Sequence, residues 1–321
     1  MIQFKHRTIL ITGGTGSWGN ELVTQLLSKE PKQIIIYSRG EFAQVTMQRK
    51  FNDDKLKFII GDVRDLESLT NACKGVDVVF HLAALKHIPV CEDYPYEAIK
   101  TNLQGTENVI KATMANKVRR VIDVSTDKAC VPINLYGLTK AAGEKLIIHA
   151  DSLETDTIFT VVRGGNVLGS NGSVIPHFIK QIQDYNQITV TDERMTRYFL
   201  TLPEAINLLF VAAQSNIPGG IFVMKMPAFK IKDIAQVLIK LKGNDQTEIK
   251  YTGIRQGEKL HESLVSTYES PNTYVYGENF YLIHSLKQNL PKVDFEEYHS
   301  NADLKDESGI VDLLKAGHYI N

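Results

Sequence analysis

Hydrophobic positions follow two patterns along the chain, short β-branched runs and longer amphipathic runs, which alternate from Thr8 onward. Short apolar runs predict buried strands, and amphipathic runs predict helices. The alternation is typical of βαβ units around a parallel sheet. Strands are predicted at Thr8 to Thr12, Gln33 to Tyr37, Lys57 to Ile60, Val76 to His81, Arg120 to Val124 and Ile158 to Val162. The sequence therefore predicts an α/β fold with a doubly wound parallel sheet.

The regular alternation ends after Arg163, and loop residues become frequent from Gly164 onward. This change predicts a domain boundary, with one domain in residues 1–163 and a smaller, discontinuous C-terminal domain in residues 164–321. The apolar helical run Pro203 to Ala213 lies within the second segment. We expect a helix near residues 199–214 to return to the first domain.

The chain has 321 residues, 43% of them hydrophobic, which is enough for a sizeable buried core. Its 36 basic and 37 acidic residues give a formal net charge of -1, so no face for nucleic acid or an anionic membrane is indicated. A small-molecule partner is expected instead. Three widely separated cysteines offer neither a disulfide framework nor a metal-ligand spacing. No apolar run approaches the length of a membrane span, and a cytoplasmic location is expected.

A glycine-rich turn joins the first predicted strand to the helical run that follows it. Its residues are Gly13, Gly14, Thr15, Gly16, Ser17, Trp18 and Gly19. Gly13 permits a tight turn, Gly16 lets the backbone approach a pyrophosphate, and Gly19 permits close contact between helix and strand. The helix N-terminus would face the anion. Strand, turn and helix together predict a Rossmann dinucleotide site, whereas the glycines alone would suit an ordinary turn.

The ends of the second and third predicted strands bear on the choice of cofactor. The second strand leads into Ser38 and Arg39, where an NAD-binding unit usually carries an acid for the ribose 2′-hydroxyl. A guanidinium suits a 2′-phosphate and a carboxylate would repel it, so NADP is favoured over NAD. After the third strand, Asp62 and Val63 are candidates for the adenine site, although an Asp before a helix is as often an N-cap.

Small residues follow the fourth predicted strand. Ala83 and Ala84 would let the cofactor pass over the edge of the sheet, and Lys86 and His87 come next. Each of these two polar residues is a candidate to face the substrate, with a solvated loop position as the alternative. A single His with no partner does not indicate a metal site.

Polar residues 125 to 128 follow the fifth predicted strand, and ligands bind outside the carboxyl ends of parallel strands. Further on, Tyr136 and Lys140 are four residues apart, so on a helix they share one face. An ammonium close to a phenol lowers the pKa of the phenol from about 10 toward neutral, which would make Tyr136 a general base. The spacing alone is equally compatible with an exposed helix that carries an incidental Tyr and Lys.

Arginines, glutamates and turn glycines recur in three stretches of the second segment, residues 164–173, 191–197 and 253–259. Such residues suit a diphosphate and a pair of sugar hydroxyls, with solvated surface charges as the alternative. The substrate-binding candidates are Lys86, Asn166, Ser173, Val174, Thr191, Arg194, Arg197, Arg255 and Glu258.

The predicted helices Tyr96 to Asn116 and Lys140 to Ala150 have partly apolar outer faces. Pairing across a two-fold axis would cover these faces. A homo-oligomer, either a dimer or an assembly of dimers, is therefore expected.

The glycine turn, Thr126, Tyr136 and Lys140 together resemble the extended short-chain dehydrogenase/reductases. More specifically, nearly the whole chain is similar to the soluble inverting UDP-N-acetylglucosamine 4,6-dehydratases of the pseudaminic acid pathway. The motifs that carry this resemblance are Ile11 to Gly16, Gly61 to Asp65, Ala83 to His87, Ser125 to Ala129, Pro132 to Gly137 and Gly253 to Glu262. Relatives that act on dTDP- or GDP-hexoses have an Asp-Glu pair in place of Asp127 and Lys128, and plain 4-epimerases lack the elimination pair.

The resemblance implies a redox-neutral dehydration of UDP-N-acetylglucosamine with bound NADP. Tyr136, assisted by Lys140, would remove the C4 hydroxyl proton while hydride passes to NADP, and Thr126 would hydrogen-bond the same oxygen. Lys128 would take the C5 proton of the 4-ketone, and Asp127 would protonate the departing C6 hydroxyl. Hydride return to C6 and protonation of C5 on the opposite face would give the inverted 4-keto-6-deoxy sugar. Mutual attraction should shift the pKa of Asp127 and of Lys128 against these roles, so which is acid and which is base stays open.

Two alternative functions remain. A nucleotide-sugar 4-epimerase, or a dehydratase of another nucleotide sugar, would share every step up to the 4-ketone, and a non-catalytic NADP-binding sensor would share only the fold. The chain also departs from the family pattern at Gly40, where Asp is usual, at Gly164, where Tyr is usual, and at Asn171, where Arg is usual. The last two are expected to border the substrate pocket, so sugar specificity and accessory epimerisation at C5 stay open.

Overall fold

The six predicted strands form one parallel sheet in the computed structural model, which describes residues 3–153, 156–169 and 173–320. They are β1 Thr8–Thr12, β2 Gln33–Ser38, β3 Leu56–Ile60, β4 Val78–His81, β5 Arg120–Thr126 and β6 Ile158–Gly164. Their spatial order is β3-β2-β1-β4-β5-β6, and every neighbouring pair is parallel. The order reverses between β1 and β4, where a doubly wound sheet leaves a crevice for a ligand. The predicted fold class is confirmed.

Helices connect these strands. β1 and β4 are buried along their whole length, as expected where helices cover both faces of a parallel sheet. The helices are α1 Ser17–Leu27, α2 Glu41–Phe51, α3 Leu66–Ala72, α4 Ile88–Asp93, α5 Pro95–Ala98, α6 Gly105–Ala115 and α7 Leu135–Asp151. A π-helical segment, Ile99–Gln104, joins α5 to α6, so only this wider turn interrupts the helix predicted over Tyr96 to Asn116.

The π-helical segment holds Asn102, whose side chain binds the loop after β4. Asn102 Oδ1 accepts from the N–H of Leu85 at 2.8 Å, and Nδ2 donates to the C=O of Leu85 at 2.9 Å. Nδ2 also lies 3.1 Å from Thr139 Oγ1 on α7. π-Helical turns are frequent at functional sites. Here one buried amide fixes the loop after β4 relative to α7.

The second segment contributes shorter strands and four more helices. In chain order they are β7 Asn166–Val167, α8 Val174–Tyr185, β8 Gln187–Val190, β9 Thr196–Leu200, α9 Leu202–Gln214, β10 Ile221–Met224, β11 Ala228–Lys230, α10 Ile231–Lys242, β12 Glu248–Tyr251, β13 Ser263–Val265, β14 Thr273–Tyr276, β15 Phe280–Ile283, β16 Tyr298–His299 and α11 Glu307–Ala316.

Part of this segment returns to the first sheet. α9 begins with a capping box between Thr201 and Glu204 and packs against α1, β5 and β6, where a returning helix was expected. β10 also pairs in parallel with β6, and β15 and β14 follow in antiparallel orientation, which extends the sheet to nine strands. The sequence pattern did not predict this extension, because each of these strands has only four residues.

A second hydrophobic core lies apart from the large sheet. Ile175, Phe178 and Ile182 recur on one face of α8 and are buried there. They belong to a cluster that also includes Phe229 and Leu238, and α10 packs against both α8 and α11. We propose that this cluster is the core of the smaller domain predicted for residues 164–321.

The surface near α7 retains apolar side chains. Val90 on α4, Tyr96 on α5, Ile99 in the π-helical segment and Leu138 on α7 are exposed, and Tyr96 is 77% accessible. Such a patch is a candidate for contact with another chain. In the part of the chain that the structure describes, no helix is long and apolar enough to cross a membrane.

Candidate active site

A cleft of about 890 Å³ runs along the carboxyl ends of the parallel strands and continues between the large sheet and the second core. Its walls include the glycine turn, the ends of β2 to β5, and residues from β7, α8, β9 and the loop after β12. A cleft at this edge is where an open α/β sheet binds its ligand. The predicted cofactor and substrate residues line it, except Lys140 and Arg194.

The glycine turn has the geometry that a phosphate-binding turn requires. Gly13 has φ +66°, and a Cβ there would lie 2.8 Å from backbone atoms of Ala83. A Cβ on Gly19 would lie 2.0 Å from the carbonyl oxygen of Gly14, so only glycine lets α1 approach the turn. Gly16 is the N-cap of α1, and the first turn of this helix carries no acidic residue. The N-terminus of α1 is therefore electrostatically suited to an anion.

Arg39 and Asp62 face each other at the far end of the cleft. Arg39 Nη1 lies 3.9 Å from Asp62 Oδ2, and its side chain is about half exposed. Arg64 donates to both carboxylate oxygens of Asp62, and these bonds outweigh the effect of burial and lower the pKa of Asp62. Asp62 is not an N-cap, because Asp65 caps α3 by accepting from the N–H of Ser68.

The loop after β4 is held by its backbone. Thr12 Oγ1 accepts from the N–H of Ala83 at 3.3 Å. The side chain of Asn102 hydrogen-bonds both the N–H and the C=O of Leu85. This arrangement directs the loop, including Ala84, along the cleft. Lys86 also lines the cleft, and burial lowers the pKa of its ammonium group.

Asp127 and Lys128 follow β5 in a short 3₁₀ turn, Asp127–Ala129. Asp127 is 1% exposed, and its Oδ1 accepts from Thr126 Oγ1 at 2.8 Å and from Lys128 Nζ at 3.0 Å. Burial disfavours both charges, but the mutual attraction outweighs it, so the pKa of Asp127 is lowered and that of Lys128 is raised. The shifts expected from the sequence are confirmed, and the pair is charged at neutral pH.

Tyr136 and Lys140 lie on α7, yet they have different environments. Tyr136 lines the cleft beside Thr126, whereas Lys140 is buried with its Nζ 3.3 and 3.4 Å from the carboxylate oxygens of Asp123. Burial raises the pKa of Tyr136 to about 12, and Lys128 is the cation that opposes this shift. The expectation that Lys140 lowers the pKa of Tyr136 is therefore wrong here, because Asp123 pairs with that ammonium.

Asp123 was not predicted as part of the site. It lies on β5 in an apolar run, and its carboxylate is also 3.9 Å from Nε2 of His81. Burial lowers the pKa of His81 to about 4, so this imidazole is neutral. The sequence feature that could have identified Asp123 is a charged residue inside an otherwise apolar strand.

The second segment supplies the opposite wall of the cleft. Arg197 on β9 donates to the backbone carbonyls of Thr196, Lys259 and Leu260, and its Nη2 lies 3.7 Å from Glu258 Oε1. The other predicted residues on this wall are Asn166 on β7, Ser173 and Val174 at the start of α8, Thr191 after β8, and Arg255 after β12.

The loop that carries Arg255 and Glu258 contacts the N-terminus of α7. Asn134, the N-cap of α7, donates from Nδ2 to the carbonyl of Gly257 at 2.8 Å. Arg194, by contrast, is 65% exposed and pairs with Asp192 through two hydrogen bonds of 2.8 and 2.9 Å. Arg194 is therefore not a cleft residue.

Gly164, one of the departures from the family pattern, lies next to Trp18. A Cβ on Gly164 would lie 3.6 Å from Cη2 of Trp18, and both residues line the cleft. This distance is ordinary van der Waals contact, and nothing in the structure explains the glycine at position 164. Asn171, the other departure near the pocket, lies outside the described residues.

Buried ion pairs link β5 and β6 to α7 near the candidate catalytic residues. Arg163 on β6 is 1% exposed and donates to Glu144 of α7 at 2.7 and 3.1 Å. It also binds Glu269 at 2.9 and 3.1 Å, and Ser125 donates to Glu144 at 2.5 Å. The network joins β5, β6 and α7 at their cleft ends.

Residues 9–284 match the family described as polysaccharide biosynthesis protein. A Rickettsia bellii protein named UDP-glucose 4-epimerase is 46% identical over 286 residues, which cover 87% of this chain and 83% of that protein. A Campylobacter jejuni protein named UDP-N-acetylglucosamine 4,6-dehydratase (inverting) is 45% identical over 284 residues, with coverage of 87% and 83%. The X-ray structure of Pen from Bacillus thuringiensis matches with a TM-score of 0.94 and 36% identity over 100% of both chains.

These similarities confirm the resemblance that the motifs carry. The two curated relatives are almost equally similar to the chain but bear the names of different activities, so overall identity does not separate dehydration from epimerisation. The matched region includes the glycine turn, the Asp127-Lys128 pair and Tyr136. The chain therefore belongs to the polysaccharide biosynthesis protein family of extended short-chain dehydrogenase/reductases and is an enzyme of its nucleotide-sugar dehydratase and epimerase group.

Proposed function

We propose that this enzyme is a C5-inverting UDP-N-acetylglucosamine 4,6-dehydratase that uses bound NADP. Its product would be UDP-2-acetamido-2,6-dideoxy-beta-L-arabino-hex-4-ulose. The observation that carries the proposal is the buried Asp127-Lys128 pair, placed at the cleft next to Thr126 and Tyr136. Oxidation at C4 alone requires a tyrosine, whereas loss of water across C5 and C6 also requires a base and an acid.

The first step removes the proton of the C4 hydroxyl. Because the pKa of Tyr136 is about 12, Tyr136 starts as a neutral phenol and must pass on one proton as it accepts another. Thr126 lies beside the phenol and donates to Asp127 at 2.8 Å. Tyr136 would thus accept the C4 hydroxyl proton and transfer its own phenolic proton to the Thr126 hydroxyl. Thr126 would in turn transfer its hydroxyl proton to the Asp127 carboxylate. This relay protonates Asp127 without requiring it to start as an acid.

The second step eliminates water. The glycine turn and Arg39 would hold NADP, which would supply a hydride acceptor for C4 oxidation and the hydride for reduction at C6. Lys128, after its ammonium has released a proton, would remove the C5 proton that the 4-ketone acidifies. Protonated Asp127 would transfer its proton to the departing C6 hydroxyl. After hydride has returned to C6, a proton from solvent would add to C5 on the opposite face and complete the inversion. The relay assigns the role of acid to Asp127 and that of base to Lys128.

Thr126→Val is expected to slow C4 oxidation by about 10²-fold, because Tyr136 must then release its proton to solvent. Below a pKa of about 12, the phenolate fraction grows with pH, so the rate of the variant should rise across the neutral and mildly alkaline range. Thr126→Ser retains the hydroxyl and should keep a flat profile. Single-turnover formation of reduced nicotinamide measures this step, and a flat profile for Thr126→Val would rule out the relay.

The cofactor proposal rests on Arg39, which lines the cleft at the end of β2 where no acid is present. Arg39→Ala is expected to weaken NADP binding by about 1.5–3 kcal/mol, the size of a hydrogen bond to a charged group, and to leave NAD binding unchanged. Titration calorimetry with both cofactors measures the difference. Equal losses for NADP and NAD would show that Arg39 does not contact a 2′-phosphate. Product identity should not change.

The substrate and assembly proposals follow from the walls of the cleft and the outer surface. Arg197 and Arg255 are the cations suited to the diphosphate of a UDP-sugar, and Glu258 is suited to sugar hydroxyls. The exposed apolar side chains on α4, α5 and α7 favour a homo-oligomer built across a two-fold axis.

The test of this function is product identity. Purified enzyme supplied with UDP-N-acetylglucosamine and NADP should give a product that has lost one water and carries a methyl group at C6. The alternative, a 4-epimerase, is favoured by the name of the Rickettsia relative. An epimerase would instead give an isomer of unchanged mass with C4 inverted.

A further inference from the structure

Glu262 is a buried carboxyl group that contacts three cations without a close hydrogen bond to any of them. It is 2% exposed and directly precedes β13. Its Oε1 lies 3.8 Å from Lys128 Nζ and 3.9 Å from Arg197 Nε, and its Oε2 lies 3.7 Å from Lys259 Nζ. Oε2 has no hydrogen-bond partner among the described residues. Burying a carboxyl group without a close hydrogen-bond partner costs free energy, so its presence calls for an explanation.

The backbone holds Glu262 in this place. Its N–H donates to Ser300 Oγ at 3.0 Å, and its carbonyl accepts from the N–H of Ser300 at 2.8 Å. Unlike Asp127, Glu262 is not among the residues that line the cleft. Among the cations that Glu262 contacts, Lys128 and Arg197 line the cleft. Lys128 is the one that the proposed elimination uses, and its ammonium lies 3.0 Å from the Asp127 carboxylate and 3.8 Å from the Glu262 carboxylate.

We propose that Glu262 is a positioning residue that accepts the ammonium proton of Lys128, so that the neutral amine can remove the C5 proton; this rests on the proposed dehydratase function. The transfer converts the Lys128 ammonium and the Glu262 carboxylate into an amine and a carboxylic acid. The lone pair of the amine then takes the C5 proton. No other reactant is needed.

The electrostatic environment favours this direction of transfer. Burial raises the pKa of Glu262, and repulsion from Asp127 raises it further, although Lys128, Arg197 and Lys259 oppose the shift. Asp127 is the largest attraction that keeps the proton on Lys128. Once the relay has protonated Asp127, both effects of its charge are lost, the attraction that keeps the proton on Lys128 and the repulsion that raises the pKa of Glu262. Among the described residues, Glu262 is then the charged carboxylate that remains within 4 Å of the ammonium. Burial still disfavours the charge of each group, so transfer to a neutral pair avoids the cost of keeping two charges away from water.

The experiment compares two steps in Glu262→Gln. We expect reduction of bound NADP by C4 to be nearly unchanged, whereas deuterium exchange at C5 in D₂O slows by about 10²-fold. The exchange should also become pH-dependent and rise with pH, because solvent must now take the proton from Lys128 in the field of Asp127, Arg197 and Tyr136. Wild-type exchange should be flat over the same range. An unchanged exchange rate, or an equal loss in both steps, would overturn the proposal.

Two further variants separate this role from a structural one. Glu262→Asp retains a carboxyl and should recover part of the exchange rate with a flat profile, and it replaces Glu262→Gln if that variant does not fold. Glu258→Gln alters the other carboxyl group near Arg197 and should raise KM without changing the pH profile. A pH-dependent exchange in Glu262→Asp or Glu258→Gln would also overturn the proposal. If wild-type enzyme yields no dehydrated product, the proposed function itself fails, whatever the variants do.

Discussion

Lys128→Ala is expected to lower the rate of dehydration by about 10³-fold or more and to leave C4 oxidation largely intact. The variant lacks the amine that removes the C5 proton but retains Tyr136 and Thr126. Reduced nicotinamide should therefore form and persist, because the ketone cannot proceed to elimination. Loss of the cation also removes the attraction that lowers the pKa of Asp127.

Single-turnover absorbance of the reduced cofactor and chromatography of the sugar product measure the two steps separately. Lys128→Met preserves more of the buried volume and should give the same result. Lys240→Ala is a suitable control, because Lys240 pairs with Glu307 on the exposed surface. If Lys128→Ala dehydrates its substrate at the normal rate, the base is a different residue.

Tyr136→Phe is expected to slow C4 oxidation, the step before elimination, by about 10³ to 10⁴-fold. Phenylalanine fills the same space but can neither accept the C4 proton nor transfer one to Thr126. No reduced nicotinamide should appear in a single turnover, and no deuterium should enter C5, because C5 is not acidic without the ketone.

Nucleotide-sugar binding to Tyr136→Phe should remain close to normal, since the cations on the opposite wall are unchanged. Calorimetry measures this binding, and Tyr268→Phe, at a position 90% exposed, serves as the control. Reduction of the cofactor at the normal rate in Tyr136→Phe would show that another group takes the C4 proton.

The sheet was predictable because a short run of neighbouring residues in the sequence indicates each strand. The runs that became β1 to β6 are β-branched and bounded by polar residues, and their predicted ends differ from the observed ends by no more than two residues. The glycine turn was predictable for a similar reason, since the pattern around Gly13 and Gly19 reflects steric limits within one βα unit. The pair of Asp127 and Lys128 was adjacent in sequence, and its mutual pKa shifts followed directly from that adjacency.

Other features depend on contacts between residues distant in sequence. Glu262 lies 134 positions after Lys128, and only folding brings their side chains to 3.8 Å. The environment of Tyr136 depends on the same kind of contact, because Asp123 on β5 pairs with Lys140 and burial then determines the pKa of the phenol. For Arg194 the sequence prediction was wrong. The charged residues next to it in the sequence suggested a ligand site, but its guanidinium pairs with Asp192 at the surface.

NMR of the product formed from UDP-N-acetylglucosamine in D₂O tests the proposed dehydration most directly. We predict a 4-keto-6-deoxy sugar with one solvent deuterium at C5, the inverted configuration at C5, and a methyl group at C6 that contains the hydrogen originally at C4. An intact hydroxymethyl group at C6 with inverted C4 would contradict elimination. A dehydrated product with its original C5 configuration would contradict inversion.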